Sequence, residues 1–535
     1  MLTVVRQNFF ACRGFRSSRR RRQHNLNVKK EKLPAPILTH TFEEAVSLTK
    51  IGKFHYTLLV VCGICFMAVM VEIMCVSIIL PSMKCDLVAT LSEQGILASS
   101  GFFGIVLSSH AMGFLADTCG RIRTLRMALI LASISTILSA FSVNIWMLIV
   151  FRFLTGFFIS GGQACVFSLC GEFHGNKTRV KHVTLLSGFL PIALIYLPTV
   201  AIFVLPLRIE AMLFGMKFSS WRILLMVNSS LSLLALLGLF MLPETPKYVL
   251  VQGDHDRALE ILRGIFVKNT GRPASDYPVK QIVMESNGAN LSNIKGVKDA
   301  LKLIWSQTVP LFYRERCLHT INICGIMFIV YGISQGIFMW FPTMLNEMVA
   351  KNGLGYNVCH ILSNMETGAD LTSDVCNGII DTFPFMVIIF VGAAFAVFYL
   401  IFAFTIDYIG KKNLIISWLI IGGISVTMIR WTSNFYVVVI LLTLTMSIGN
   451  CGGLVSTISM EFFPTNINAM GMCFIMMIGR LGAVFGSNFL GQLLFNFCDN
   501  VLWGLLGICV ILAAMSWFLP ERKHQKQKKI HEVNQ

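Results

Sequence analysis

The stretches "GFLADTCGRIR" (113–123) and "AFTIDYIGKKN" (403–413) decide the architecture. Asp117 and Asp407 are 290 positions apart, and so are Gly120 and Gly410, and Arg121 and Lys411. A second pair, "GEFHGNKTR" (171–179) and "MEFFPTNIN" (460–468), sets Glu172 and Glu461 289 apart. Two motif pairs at nearly one offset predict a duplicated unit, and the sequence around them says what that unit is made of.

The chain has 535 residues, 55% hydrophobic and 13% charged, with a mean hydropathy of +0.70; soluble globular chains carry roughly a quarter charged residues. Apolar runs of spanning length, about 17 to 25 residues, recur near 55–80, 95–115, 126–143, 146–169, 183–206, 222–242, 318–342, 379–406, 413–430, 435–459, 469–494 and 500–519. The first motif pair follows spans 2 and 8, and the second follows spans 4 and 10. The prediction is an all-α membrane protein with twelve transmembrane helices in two pseudo-symmetric six-helix halves. The expected division is a basic N-terminal tail (1–53), an N-terminal half (54–242), a polar linker (243–317) with an amphipathic helix at about 254–268, a C-terminal half (318–519) and a C-terminal tail (520–535). Parallel repeats of this kind place a substrate site midway between the halves.

Basic residues collect on the cytosolic side of a membrane. With both termini cytosolic, all but eight of the 44 Lys and Arg fall in the tails and in the loops on that side. The net charge of +17 is then a topology signal, and no nucleic-acid partner is expected. There is no Gly-rich phosphate loop closed by Lys-Ser/Thr, no metal-spaced Cys/His cluster and no nucleophile triad, so neither an enzyme nor an ATP-driven pump is expected, and no cofactor or metal. The expected partners are the lipid bilayer, a small organic substrate and a proton or sodium ion, with the protein as a monomer. Cys359 and Cys376 share the outer loop after span 7, where an oxidising compartment allows a disulfide; Cys85 is a rival partner.

The D-x-x-G-[RK] corners, "RFLTGFFISGG" (152–162), "PETPKYVLVQGDHDRALEILRGIF" (243–266) and "EFFPT" (461–465) together resemble the major facilitator superfamily over nearly the whole chain. Within it, Val71-Glu72, "ILPSMKCDL" (79–87), "YGISQGIFMWFPTML" (331–345) and "GRLGAVFGS" (479–487) resemble the synaptic vesicle glycoprotein 2-like group. The outer loop after span 1 is too short for the organic-ion branch, and span 7 lacks the Q-Q-x-S-G pattern of sugar porters. Two departures stand out. The outer loop 343–378 is much shorter than the luminal domain of the group's best-known members, and the acid they carry three residues before the span 1 Glu is Val69 here.

The resemblance implies a secondary active transporter or facilitator that moves a small polar or charged organic solute by alternating access, in the plasma membrane or a vesicle membrane. It also implies a rival: a transporter-shaped protein that no longer transports and serves as a vesicle constituent, receptor or binding platform. Val69 and Asn468, where usual charges are missing, point to the rival.

For the corners, the resemblance implies a cytosolic latch between the halves. Gly113 would permit close helix approach, Asp117 would accept from backbone N–H groups at a neighbouring helix end, and Arg121 would pair with carboxylates. Gly120, Asp407, Gly410 and Lys411 complete the two corners. Glu172 with Arg179, and Glu461 lacking a basic partner at Asn468, suggest a second set of contacts that is weaker in the C-terminal half.

One charge interrupts "FMAVMVEIMCVSI" (66–78) in span 1. An acid at a helix centre costs roughly 2.5–3.5 kcal/mol on insertion scales, so Glu72 must face a cavity, find a partner or hold a proton. Arg480 in span 11 is a candidate partner or a separate anchor for an anionic solute, and Arg152 in span 4 is another candidate. Gln163, Tyr196, Gln335, Trp340 and Asn450 are further polar groups that could line the same cavity.

Overall fold

The computed structural model describes residues 39–520 apart from 84–85, 88, 208–210, 214–215, 284–304, 307, 315, 351–356, 364–381 and 464–467. Twelve helices among the described residues are long and apolar enough to cross a membrane: α1 (Lys53–Met83), α2 (Leu91–Cys119), α3 (Arg121–Ala140), α4 (Ile145–Glu172), α5 (Lys181–Val204), α6 (Ser220–Phe240), α7 (Cys317–Val349), α8 (Phe383–Ile406), α9 (Lys411–Trp431), α10 (Phe435–Phe462), α11 (Gly471–Leu494) and α12 (Asn496–Trp517). The end of the bundle that carries residues 39–52 and 520 is called inner, and the opposite end outer.

Polar side chains mark where the spans begin. Thr90 caps α2 in a reciprocal capping box with Glu93, Asn144 caps α4 by accepting from Met147 N at 2.8 Å, and Asn434 caps α10 by accepting from Tyr436 N at 3.0 Å. Each supplies a partner for backbone N–H groups that a helix start leaves open. At the other end of α3, Arg222 donates to Ala140 O at 2.8 Å and Ser142 O at 2.7 Å, which satisfies terminal carbonyls at the outer surface.

The packing follows the repeat. Within the halves α1 packs on α5 and α7 on α11, and α3 packs on α6 and α9 on α12. Between the halves α2 packs on α11 and α5 on α8, with α1 against α7 on the axis. The contacts within a half map onto their counterparts when six is added to both helix numbers, and those between halves when six is added to one number and subtracted from the other. The structure therefore has the two pseudo-symmetric six-helix halves.

Irregular backbone gathers in the C-terminal half. α10 tightens into a 3-10 turn over Ser447–Asn450, α11 carries a π segment at Gly486–Leu490, and the backbone leaves helical geometry at Phe497, where α11 gives way to α12. Such mid-helix departures concentrate at hinges and functional positions. α5 is interrupted at Gly188, where two helical segments meet.

A small platform sits at the inner end. It comprises β1 (Thr39–Thr41), the short helix Phe42–Leu48, the linker helices Pro246–Val251 and His255–Thr270, and β4 (Gln281–Val283), which pairs parallel with β1. A hairpin of β2 (Ala211–Leu213) and β3 (Met216–Phe218) lies between α5 and α6. The apolar face of His255–Thr270, with Ala258, Leu259, Leu262 and Ile265 buried, turns inward.

Candidate functional site

Glu72 has a partner. Its Oε2 lies 3.6 Å from Arg152 Nη1 and accepts from Thr136 Oγ1 at 2.6 Å. Arg152 Nη2 donates to Ser139 Oγ at 2.7 Å. Glu72 is 2% exposed and Arg152 1%, so the pair ties α1 to α3 and α4 inside one half. The cavity beside it, lined by Glu72, Ala98, Gly101, Phe102, Arg152 and Thr155, measures about 10 Å³, which is room for about one water molecule. Of the two candidate partners it is Arg152 that Glu72 meets, and the space beside the carboxylate among the described residues is no larger than this.

Arg480 stands elsewhere, at the seam between the halves. Its Nη1 donates to Ser109 Oγ of α2 at 3.1 Å, and it lies within electrostatic reach of Tyr331 on α7. The Tyr331 ring abuts Gly452 of α10 and Gly479 of α11. One helical turn along α7, Ser334 Oγ donates to Met446 O at 2.6 Å, drawing α7 against the 3-10 turn of α10. Gln335 follows Ser334 on α7, and Asn450 closes the 3-10 turn. Gln335 Oε1 and Asn450 Nδ2 are buried without a hydrogen-bond partner, a costly condition inside a membrane bundle unless a ligand or water meets them.

The remaining candidates divide. Trp340 is fully buried, and its indole N–H donates to Ser487 O at 2.8 Å, so it joins α7 to α11 and does not face a cavity. Tyr196 is half-buried on α5, next to Leu194 and Ile195, whose backbone approaches Gly392 of α8. Gln163 lies on α4 with its side chain outside the described residues.

At the inner corners the expected residues assemble, but within each half. Arg121 pairs with Asp117 at 2.9 Å and with Glu172 at 3.1 Å. Lys411 pairs with Glu461, so the repeat extends to the ion pairs themselves and Glu461 does have a basic partner. Arg179 does not pair with Glu172; it pairs with Glu43 of the platform at 2.6 Å. Gly120 and Gly410 take φ of 101° and 82°, a region open to glycine and closed to most side chains. Asp407 lies at the end of its helix with a side chain outside the described residues.

Two further expectations at the corners need correction. A Cβ on Gly113 would meet nothing within 4 Å, so Gly113 is not a point of close approach here. Among the described residues Asp117 receives Arg121 and no backbone N–H of a neighbouring helix end. The residue that caps a helix start is Glu244 of "PETPK", which accepts from Ile122 N at 3.1 Å and Arg123 N at 3.3 Å. The acid following Pro243 was the available signal for this cap.

The outer disulfide also differs. Cys359 is bonded to Cys498 at the start of α12, with Cα atoms 5.3 Å apart. A sulfur in one disulfide cannot enter another, so Cys359 does not pair with Cys376. Cys376 and Cys85 lie outside the described residues.

Residues 82–339 match the family model described as sugar (and other) transporter. Synaptic vesicle glycoprotein 2A of Rattus norvegicus is 28% identical over 317 residues, 56% of this chain and 43% of the relative. Synaptic vesicle glycoprotein 2B of Homo sapiens is 26% identical over 325 residues, 58% and 48% of the two chains. These matches span less than half the length of the curated relatives. Among solved structures, a partially occluded inward open conformation of the xylose transporter XylE from E. coli aligns with a TM-score of 0.62 at 16% identity, covering 88% of this chain and 100% of that one. The nucleoside transporter NupG aligns with a TM-score of 0.55 at 12% identity, covering 87% and 98%. Architecture and sequence likeness agree: the chain is a multi-pass membrane protein with the twelve-helix fold of the major facilitator transporters, and in sequence it resembles the synaptic vesicle glycoprotein 2 group.

Proposed function

We propose that this protein is a secondary active transporter or facilitator that moves a small polar or charged organic solute by alternating access of its two halves. The observation that carries the reading is the cluster around Tyr331. Arg480 of α11 lies in electrostatic reach of Tyr331 and donates across to Ser109 of the opposite half, and Gln335 on α7 and Asn450 on α10 each carry a buried amide atom without a partner. Two unsatisfied amide atoms and a guanidinium at a seam between rocking bodies are suited to hold a solute whose release the rocking controls. Glu72 and Arg152 are the scaffold that fixes α1 against α4, and Glu72 is the carboxylate at which a coupling proton would be taken up; sodium is the other candidate ion. In this reading both termini are cytosolic, the membrane is that of the cell or of a vesicle, and the working unit is the monomer.

The names of the relatives give a place, the synaptic vesicle, and no solute, and this favours a second reading as a non-transporting vesicle constituent, receptor or binding platform. Thermal unfolding of the purified protein against organic cations, carboxylates, nucleosides and sugars separates the two. A bound solute raises the midpoint by mass action. The transport reading expects a solute that stabilises the wild type and fails to stabilise Arg480→Gln. A panel that stabilises a known transporter run alongside, and leaves this protein unmoved, supports the second reading.

A further inference from the structure

At the inner end of the N-terminal half, three histidines from three elements form one column. The rings of His55 on α1 and His174, just past α4, have centroids 4.8 Å apart. His174 and His182, at the start of α5, are stacked at 4.0 Å with their planes 27° from parallel. All three are buried. A carbonyl can only accept, so the bonds from His174 Nδ1 to Cys170 O at 2.7 Å and from His182 Nδ1 to Thr178 O at 2.9 Å place the protons on Nδ1. His174 Nε2 then carries the lone pair, and it is buried with no partner.

The platform rests on this column. Asn269 of the linker helix meets His55 Nδ1 at 3.0 Å, and the same side chain donates to Lys50 O at 2.7 Å and accepts from Phe54 N at 3.0 Å. Gly175, next to His174, packs on Ser47 of the helix Phe42–Leu48. The charged and titratable groups facing His174 are His55, His182 and Arg179, while Cys170 meets it through its backbone carbonyl. Arg179 is engaged by Glu43, and Lys268 stands 6.0 Å over the Phe54 ring.

We propose that His55, His174 and His182 form a proton-operated clasp, which holds residues 39–50 and the linker helix 255–270 against the N-terminal half and releases them when the inner solution is acidified. A proton on His174 Nε2 would create a buried donor with no acceptor, pressed against two imidazoles and near Arg179. Burial first, and then those positive neighbours, push His174 down from 6.5 to about 4. The sign follows from proton counting. The released state, with an ordinary histidine, binds more protons than the clasped state at pH values between about 4 and 6.5, so acid favours release. From pH 7.5 to 5.5 the release equilibrium shifts by about tenfold. The inference does not depend on whether the protein transports.

Hydrogen exchange of the full chain in lipid nanodiscs, corrected for the intrinsic pH dependence of exchange, tests it. Amides of residues 41–50 and 263–271 are expected to lose about tenfold in protection between pH 7.5 and 5.5, while those of α3 and α9 stay protected. In His174→Phe, which keeps an aromatic ring and removes the titration, the acid-induced loss disappears. Equal protection at the two pH values in the wild type overturns the proposal, as does an undiminished loss in His174→Phe. Should that variant lose protection in α3, His182→Phe replaces it: a smaller acid-induced loss supports the clasp, and an unchanged one overturns it.

Discussion

At the scale of single residues, Glu72 and Arg152 are each 2% exposed or less, so neither ion can be removed alone without stranding the other in the interior. Removing one partner of a buried pair typically costs about 3–5 kcal/mol, whereas replacing both with apolar groups is often neutral. Glu72→Ala is therefore expected to lower the unfolding midpoint in detergent sharply, and Glu72→Ala combined with Arg152→Met to recover most of the loss. A single variant as stable as the wild type would mean that the pair does not hold α1 to α4. The sequence shows that Glu72 needs a partner, because a lone carboxylate in a span is costly. It does not show which arginine, since that depends on the rotation of α1 about its axis within the bundle. For the same reason Trp340 reads as a cavity residue in one dimension and is an interhelical bond in three.

At the scale of elements, contact between helices is set by glycines other than the one in the corner motif. Gly482 and Gly486 of α11 face the backbones of Phe328 and Gly332 on α7, and a Cβ at either position would collide with those carbonyls. Small residues permit such backbone approach in membrane bundles. Gly482→Ala is expected to destabilise the protein by about 1–3 kcal/mol through overpacking. Gly113→Ala, with nothing near its Cβ, leaves the midpoint unchanged or higher, because alanine is the better helix former. Thermal midpoints of the two variants side by side check this, and the reverse order would contradict the packing. Helix positions were legible from apolar runs and the corner glycines from their repeat. The bond between Cys359 and Cys498, 139 residues apart, was not, because only the folded bundle brings the loop after α7 to the start of α12.

At the scale of the whole molecule, the repeat extends from sequence into energetics. The offsets that align the motifs also align the ion pairs, Arg121 with Glu172 and Lys411 with Glu461. These pairs are internal to each half, so they stiffen the halves and do not by themselves oppose their separation at the inner end. The contacts between halves run along α2 with α11 and α5 with α8. Toward the outer end, a Cβ on Gly95 would come within 3.2 Å of Asn488 O. In the transport reading, two halves joined along such seams rock about them. The twofold organisation was legible in the sequence because duplication preserves spacing, whereas the division of polar contacts within and between halves was not, because both kinds use the same residue types.

The most direct test of rocking is the distance between spin labels placed through noncanonical residues at positions 123 and 413, exposed at the inner ends of the two halves, measured by pulsed electron resonance in nanodiscs. Alternating access predicts two separations several ångströms apart whose populations change when a stabilising solute is added or when Arg480→Gln weakens the seam. A single narrow distance, unmoved by any stabilising solute and by that substitution, would contradict alternating access in this protein.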